Sequence, residues 1–266
     1  MYGKHVNANG DLEKSLREAR AKYFAVQIFT HGPRNRRRNN FDAATINEIM
    51  GGVPLYVHSS YMSAPWKGNN VAIAHVHDQL EACREVGARG LVIHLPKAKP
   101  EVVAEYLPSI ITDDITILLE MTHVRPDPNT TYETPAKLDR LTEMLESKGL
   151  DNWGYCIDTA HIWAAGIDVS TTAGMQEWLD GIKYPERIKL FHLNGNSNGL
   201  ASFKDTHIIP FAEADTIWHG VTPTQSGCRT LVHYANVHDI PVIMEINRGE
   251  PNDEEAILKK LAYWMH

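Results

Sequence analysis

The chain has 266 residues, 43% hydrophobic and 22% charged, a composition that suits one large packed domain and excludes disorder. Its formal net charge of −7 argues against a generally basic nucleic-acid binder, although a local basic patch can sit on an acidic body. The three cysteines, Cys83, Cys156 and Cys228, are odd in number and lack C-x-x-C spacing, which excludes a disulfide framework and a cysteine zinc site and fits a reducing compartment.

Met1–His5 carries no charged-then-apolar leader pattern, and no apolar run nears the ~18 residues that span a bilayer, so a soluble intracellular protein is expected. The first strand is expected at Tyr2–Val6, followed by a helix over Asp11–Lys22 with Leu12, Leu16 and Ala19 on one face. Strands at Phe24–Phe29 and Pro54–Val57 precede a helix over Val71–Val86 that turns Ile73, Leu80 and Cys83 inward, leaves His75 and His77 to solvent, and ends near Gly87. Strands at Gly90–His94 and Thr116–Glu120 follow, then a helix over Thr134–Ser147 with Leu138, Leu141 and Leu145 inward and Gly149 as its cap. Strands at Gly154–Asp158, Ile188–His192 and Pro241–Glu245 and a helix over Asn252–Trp264 complete the chain. Short apolar strands alternating with amphipathic helices predict a single (β/α)₈ TIM barrel spanning residues 1–266 as one domain. No G-x-G-x-x-G follows a strand, which weighs against a doubly wound sheet.

Six of these apolar runs are followed by, or end in, a side chain able to bind a metal: His58, His94, Glu120, Asp158, His192 and Glu245. In an α/β barrel the C-terminal strand ends converge on one face, where such groups would crowd together and repel or mis-ionise without cations. Asp158-Thr-Ala-His161, at a strand-to-loop junction, and Asp205-Thr-His207, in a later loop, extend the set to nine residues. One four-coordinate zinc would leave several of them unused, whereas about three divalent cations with bridging carboxylates would employ them all. A lone strand-end histidine is usually a hydrogen-bonded core or surface residue; it is the repetition at successive strands that points to a metal cluster. His5, His31, His75, His77, His123, His219, His233, His238 and His266 fall outside the set, with His5 facing the same rim. The loop after the second strand, His31–Asn39, carries Arg34, Arg36, Arg37 and Arg38, readable as a solvated basic loop or as a phosphate contact.

The run from Tyr155 to Asp168, Tyr-Cys-Ile-Asp-Thr-Ala-His-Ile-Trp-Ala-Ala-Gly-Ile-Asp, closely resembles the signature of the endonuclease IV family of apurinic/apyrimidinic (AP) endonucleases, C-[IL]-D-T-C-H-x-x-A-A-G-Y-D. Gly3–Val6, His58–Tyr61, His94, Glu120, His192-Leu-Asn194, Asp205-x-His207 and Glu245 stand around it in the family's order. The resemblance implies a site of about three zinc ions, with manganese able to substitute. His58 and His94 would hold one ion, and Glu120 would bridge it to a second held by Asp158, His192 and Glu245. His161, Asp205 and His207 would hold the third. It also implies Glu120 and Glu245 as catalytic carboxylates, with Asn194 standing behind the ligands; His5, at the end of the first strand, reads equally as a residue behind the ligands or as a satisfied polar residue. Arg34 would enter the duplex at the lesion and Tyr61 would wedge the base stack, alongside phosphate contacts from Arg36, Arg37 and Arg38.

The implied activity is cleavage of double-stranded DNA 5′ to an abasic site, leaving a 3′-hydroxyl and a 5′-deoxyribose phosphate, by a monomer without membrane contact. Three segments depart from the family's pattern: Met121–Pro126 after Glu120, Gly195-Asn-Ser after Asn194, and Ile208–Ala214 after His207. These loops shape the substrate groove, so the resemblance does not set the lesion range or any 3′-exonuclease activity. A sugar isomerase or epimerase on the related xylose-isomerase-like barrel accounts for Glu120, Asp158, His192 and Glu245 around one metal, but not for the remaining ligands or the arginines. A non-catalytic lesion-binding protein and a nuclease of the same fold acting on other DNA damage complete the alternatives.

Overall fold

A computed structural model describes residues 1–7, 11–246 and 251–265, with the side chain of residue 251 also outside the description. The expected helix starts and stops rest on local chemistry. Asp11, Asp42 and Asn69 each accept a backbone N–H in the first turn of α1 (Leu12–Arg20), α2 (Ala43–Met50) and α3 (Asn70–Val86). Gly87 ends α3 in the left-handed conformation that glycine adopts without Cβ strain.

The strands are β1 (Tyr2–Val6), β2 (Ala25–Ile28), β3 (Leu55–His58), β4 (Gly90–His94), β5 (Thr116–Glu120), β6 (Trp153–Asp158), β7 (Ile188–His192), a short pair β8 (Gly195–Asn196) and β9 (His207–Ile208), and β10 (Val242–Met244). All but the short pair close into a parallel barrel in the order β1-β10-β7-β6-β5-β4-β3-β2, an eight-stranded TIM barrel as expected from the sequence. The connecting helices continue with α4 (Pro100–Tyr106), α5 (Pro135–Ser147), α6 (Thr159–Ala164), α7 (Thr172–Asp180), α8 (Gly227–Val237) and α9 (Pro251–Trp264). Among the described residues no helix is long and apolar enough to cross a membrane.

The barrel interior is a packed apolar plug with one residue from each of seven strands: Ala25, Tyr56, Val92, Leu118, Cys156, Leu190 and Ile243. On β1 the corresponding position is Gly3, where an added Cβ would lie 2.4 Å from the Ala25 carbonyl oxygen and 2.9 Å from its Cβ. The outer, larger core packs Leu16, Ile49, Leu80, Leu141, Leu231 and Leu261 of the helices against the outward faces of the strands.

Three details differ from the sequence reading. His75 is buried, not solvated: it shares a face of α3 with Ala72, Val76, Gln79 and Cys83, and its Nδ1 lies 3.1 Å from Ser63 Oγ. That face is rotated from the one marked by Ile73, which lies only at the margin of the core. Asp158-Thr-Ala-His161 is not a loop junction but the start of α6, with Asp158 as its N-cap. The last barrel strand ends at Met244, so Glu245 follows it by one residue. His266 lies outside the described residues.

Gly3→Ala is expected to lower unfolding stability by ~1–3 kcal/mol through overpacking against the backbone of β2. Gly199→Ala, where nothing lies within 4 Å, is expected to stay within about 0.5 kcal/mol of the parent. Denaturant midpoints of the two variants check this; equal midpoints would show that the β1–β2 contact is not tight.

Candidate metal centre

Side chains alternate along a strand, so the residue two positions beyond each plug residue also points into the barrel, one layer nearer the C-terminal mouth. Applied to the eight strands, that step leads from Gly3 to His5, Ala25 to Gln27, Tyr56 to His58 and Val92 to His94. It leads likewise from Leu118 to Glu120, Cys156 to Asp158, Leu190 to His192 and Ile243 to Glu245. Every member of this layer is polar, and all but His94 are buried.

The carboxylates and imidazoles of this layer converge. Glu120 Oε2 lies 3.1 Å from both His58 Nε2 and His94 Nε2. His192 Nδ1 faces three carboxylates at once: Glu120 Oε1 at 3.0 Å, Glu245 Oε2 at 3.3 Å and Asp158 Oδ2 at 3.7 Å. Three further residues join from above, Asp205 and His207 from the segment after β8 and His161 from α6. His207, held in the β8–β9 ribbon opposite Asn196, places Nε2 at 2.6 Å from Asp205 Oδ1 and 3.5 Å from Asp158 Oδ2. His161, on the first turn of α6, places Nε2 at 3.4 Å from Asp205 Oδ2. The structure thus brings all nine expected ligand positions to one mouth. Within it, His58/His94/Glu120, Glu120/Asp158/His192/Glu245 and Asp158/His161/His207 form groups whose ligand atoms lie within 4.8 Å of one another.

The tautomers show what these groups face. His58 Nδ1 donates to the Ser59 carbonyl at 2.8 Å, and His161 Nδ1 donates to the Met121 carbonyl at 2.7 Å. His192 Nε2 donates to Gln27 Oε1 at 2.9 Å. In each ring the nitrogen turned toward the carboxylates is therefore the lone-pair nitrogen of the neutral form, and lone pairs aimed at carboxylate oxygens require a proton or a cation between them. The buried His161 Nε2 and His207 Nε2 make no well-directed hydrogen bond, close as the Asp205 carboxylate is to both. Lone pairs converging on acids in this way fit a divalent-cation site.

The same opposition appears in the ionisation of these groups. Burial works against the charged form of Glu120, but the charges of His192 and His94 hold its carboxyl well below the usual range. Burial would likewise push His192 and His207 down. The Glu245 and Glu120 charges instead carry His192 up to about 9, and Asp158 with Asp205 carries His207 up to about 9. Without metal, protons occupy the positions that cations would take.

Of the two residues expected behind the ligands, Asn194 Nδ2 donates to Asp158 Oδ2 at 2.7 Å and Glu245 Oε2 at 3.2 Å, and its Oδ1 accepts the Glu245 backbone N–H at 2.8 Å. His5 lies buried in the layer, and burial pushes its pKa down to about 3, so it stays neutral. Gln27, absent from the strand-end reading, is equally central. Its Nε2 donates to Glu245 Oε1 at 2.8 Å and reaches His5 Nδ1 at 2.9 Å, while its Oε1 accepts from His192. A polar residue inside the buried run Ala-Val-Gln-Ile was its one available signal. His123 also arrives unforeseen, with a ligand atom within 4.8 Å of those of His161 and Asp205. The Cys156 thiol is close to Glu120 and His192, but burial and the nearby carboxylates hold it protonated, and it belongs to the apolar plug.

Beside the mouth, the arginine loop folds back on itself, with Gly32 N–H donating to the Arg37 carbonyl at 2.8 Å. It is tied to the next loop by the Tyr61 N–H, which donates to the Pro33 carbonyl at 2.8 Å, and by Ser60 Oγ, which donates to the Asn35 carbonyl at 2.7 Å. Arg34, Arg36 and Arg37 are exposed. Arg38 is not equivalent to them, because it pairs with Glu85 and lies over the Phe41 ring. Tyr61 is 50% exposed, with its ring 5.6 Å from that of His58 and 5.3 Å from that of His94. A groove of about 400 Å³ opens alongside, lined among others by Tyr61, Trp66, Lys67, His94 and Lys97.

Residues 17–265 match the family described as xylose isomerase-like TIM barrel. A probable AP endonuclease of African swine fever virus (isolate Pig/Kenya/KEN-50/1950) is 31% identical over 238 residues, covering 85% of this chain and 79% of the relative. A probable endonuclease 4 of Chloroflexus aurantiacus is 28% identical over 289 residues, covering 98% of this chain and 97% of the relative. Among solved structures, one described as AsfvAP:AG overlays with a TM-score of 0.91 at 26% identity, covering 100% of this chain and 99% of its own. Endonuclease IV from Thermus thermophilus overlays with a TM-score of 0.78 at 25% identity, covering 99% of this chain and 98% of its own. A D-tagatose 3-epimerase-like protein, with a TM-score of 0.67 at 17% identity over 98% of each chain, shares the fold alone. The chain belongs to the xylose isomerase-like TIM barrel family and, within it, to the AP endonucleases of the endonuclease IV type.

Proposed function

We propose that this protein is a metal-dependent DNA-repair nuclease that hydrolyses the phosphodiester 5′ to abasic sites in duplex DNA, leaving a 3′-hydroxyl and a 5′-deoxyribose phosphate. The observation that carries the reading is the convergence of five imidazoles and four carboxylates at the barrel mouth, with lone pairs left facing acids. His58, His94 and Glu120 would hold one cation, Glu120, Asp158, His192 and Glu245 a second, and His161, Asp205 and His207 a third. Zinc suits this mixed nitrogen and oxygen donor set, and manganese is a workable substitute. Divalent cations bound there would lower the pKa of a water and neutralise charge developing on a phosphoryl oxygen.

The chain's own residues do the rest. Glu120 and Glu245 are the catalytic carboxylates, presented at the floor of the mouth. Gln27 fixes His192 and Glu245 relative to each other, and Asn194 does the same for Asp158 and Glu245. The plug beneath closes the barrel to water, which strengthens every charge interaction above it. Arg34, Arg36 and Arg37 offer guanidinium groups to phosphates, with Arg38 partly engaged by Glu85. The exposed Tyr61 ring, seated against His58 and His94, would stack where a base is missing, and unstacking costs least at such a lesion. Lys67 and Lys97 line the adjoining groove and give it the charge a sugar-phosphate backbone needs.

Purified protein is expected to incise a duplex carrying one tetrahydrofuran abasic analogue, on its 5′ side, and to carry about three cations per chain by metal analysis. Glu245→Gln and His94→Ala should each reduce incision by on the order of 10²-fold or more. Equal cutting of intact duplex, or cutting that survives stringent chelation, would sink the proposal; near one metal per chain with sugar isomerase activity would favour an epimerase-like enzyme.

Arg34→Ala and Tyr61→Ala should each weaken binding to the lesion duplex by ~1–3 kcal/mol with metal content unchanged. Neutralising Arg36 and Arg37 should lower the salt slope of binding by about one per lost phosphate contact. Loss of metal from either single variant would place that residue in the metal site instead.

Cation binding should expel protons from His192 and His207, whose metal-free pKa values are about 9. Affinity of the metal-free protein for zinc is therefore expected to rise with pH up to about 9 and level off above it. His161, which the Asp158 and Asp205 charges also hold well above its ordinary value despite burial, adds a third proton. Calorimetry at pH 7 in buffers of different ionisation enthalpy should therefore read roughly three protons released per chain; a buffer-independent heat would contradict this.

A further inference from the structure

The loop that follows β5 departs from the family's pattern, and it delivers a histidine to the mouth. The ring of His123 lies 5.2 Å from that of His161, tilted by 41°. A ligand atom of His123 sits within 4.8 Å of ligand atoms of both His161 and Asp205. His161 is 1% exposed, its Nδ1 is committed to the Met121 carbonyl, and its Nε2 makes no well-directed hydrogen bond, with Asp205 Oδ2 3.4 Å away. His123 Nδ1 is likewise buried without a partner. Buried ring nitrogens left unpaired beside a carboxylate are costly unless something joins them.

The approach of this loop to Asp205 is built in. Two residues beyond His123, the Arg125 guanidinium lies 5.0 Å over the ring of Phe203, two residues before Asp205. The Phe203 N–H donates to the Ala164 carbonyl at 3.0 Å, which fixes that second loop on the end of α6. His161 is anchored to the same β5 loop through Met121. Three chain segments thus meet on one point.

We propose that His123 is a fourth protein ligand of the cation held by His161, Asp205 and His207, giving that ion a three-nitrogen, one-carboxylate set. This deepens the reading above and rests on it. With three protein ligands a zinc keeps a position open for water or substrate, whereas four close the shell. The third cation of this chain is therefore bound more tightly and exchanges more slowly than a three-ligand site would allow.

The test is a zinc titration of metal-free protein, wild type against His123→Ala, read by competition with a chromophoric chelator. The expected result is about three equivalents in the wild type and, in His123→Ala, a third equivalent weakened by on the order of 10- to 100-fold with the first two unchanged. A second measurement avoids dependence on the variant's folding: imidazole ¹⁵N resonances of the wild type, followed through the third equivalent of zinc, should show a His123 nitrogen moving into the metal-bound range. Three equivalents bound equally by both proteins, or a His123 resonance that stays put, overturns the fourth ligand and leaves the three-cation reading standing. A wild type that binds no third equivalent overturns both.

Discussion

The strict alternation of side chains along eight parallel strands is the constraint on which the rest depends. Once the barrel closes on its plug, the residue two steps on from each plug member has nowhere to point but the mouth. Gly3 sits at a tight point of that closure, where no side chain fits beside Ala25, and the step beyond it gives His5. The chemistry of the site is thus set by a layer of the barrel, and the position of most of its groups is fixed by strand hydrogen bonds rather than by flexible loops. The cost of crowding acids and imidazoles in that layer falls on the same frame, which stays intact because its outward faces pack against the helices.

Within the layer the governing quantity is the charge balance. Glu120 and Glu245 are buried, yet the histidines around them hold both carboxyls below their ordinary range, Glu245 at about 2. Gln27 and Asn194 supply neutral hydrogen bonds that fix the orientation of the His192 ring and of the Asp158 and Glu245 carboxylates. Such amides cannot neutralise anything. Gln27 accepts from His192 Nε2 and so turns the Nδ1 of that ring toward the carboxylates.

Loops surround the mouth with exposed charge and an exposed aromatic ring. The arginine loop and the Tyr61 loop are joined by hydrogen bonds to backbone carbonyls, which hold the two at a defined spacing beside the mouth. Arg38 is partly withdrawn by Glu85, which shifts the free positive charge toward Arg34, Arg36 and Arg37. Elsewhere on the rim, the β5 loop and the Asp205 loop are clamped by Arg125 and Phe203. The β5 loop's departure from the family's pattern therefore alters the surroundings of His161 and Asp205 and leaves the plug untouched.

The sequence by itself determined the architecture and most of the site. All eight barrel strands were legible to within about one residue at their ends, because buried parallel strands must be short apolar runs and their punctuation is local. Gly87 and Gly149 as helix stops were legible for the same reason. Six of the candidate ligand positions followed, since strand ends converge in any such barrel. Tertiary structure alone decided the rest. Gln27 reads as an interruption of an apolar run until closure sets it between His192 and Glu245. His75 reads as solvated until its face of α3 meets Ser63 and the ring of His31. His123 is three residues past a strand end, in a loop whose path no periodicity specifies, and only the packing of that loop across Phe203 and His161 brings it to the mouth. Local pattern fixes what a segment is; which distant partners it meets depends on contacts between residues far apart in the chain, and these exist only once the barrel has closed.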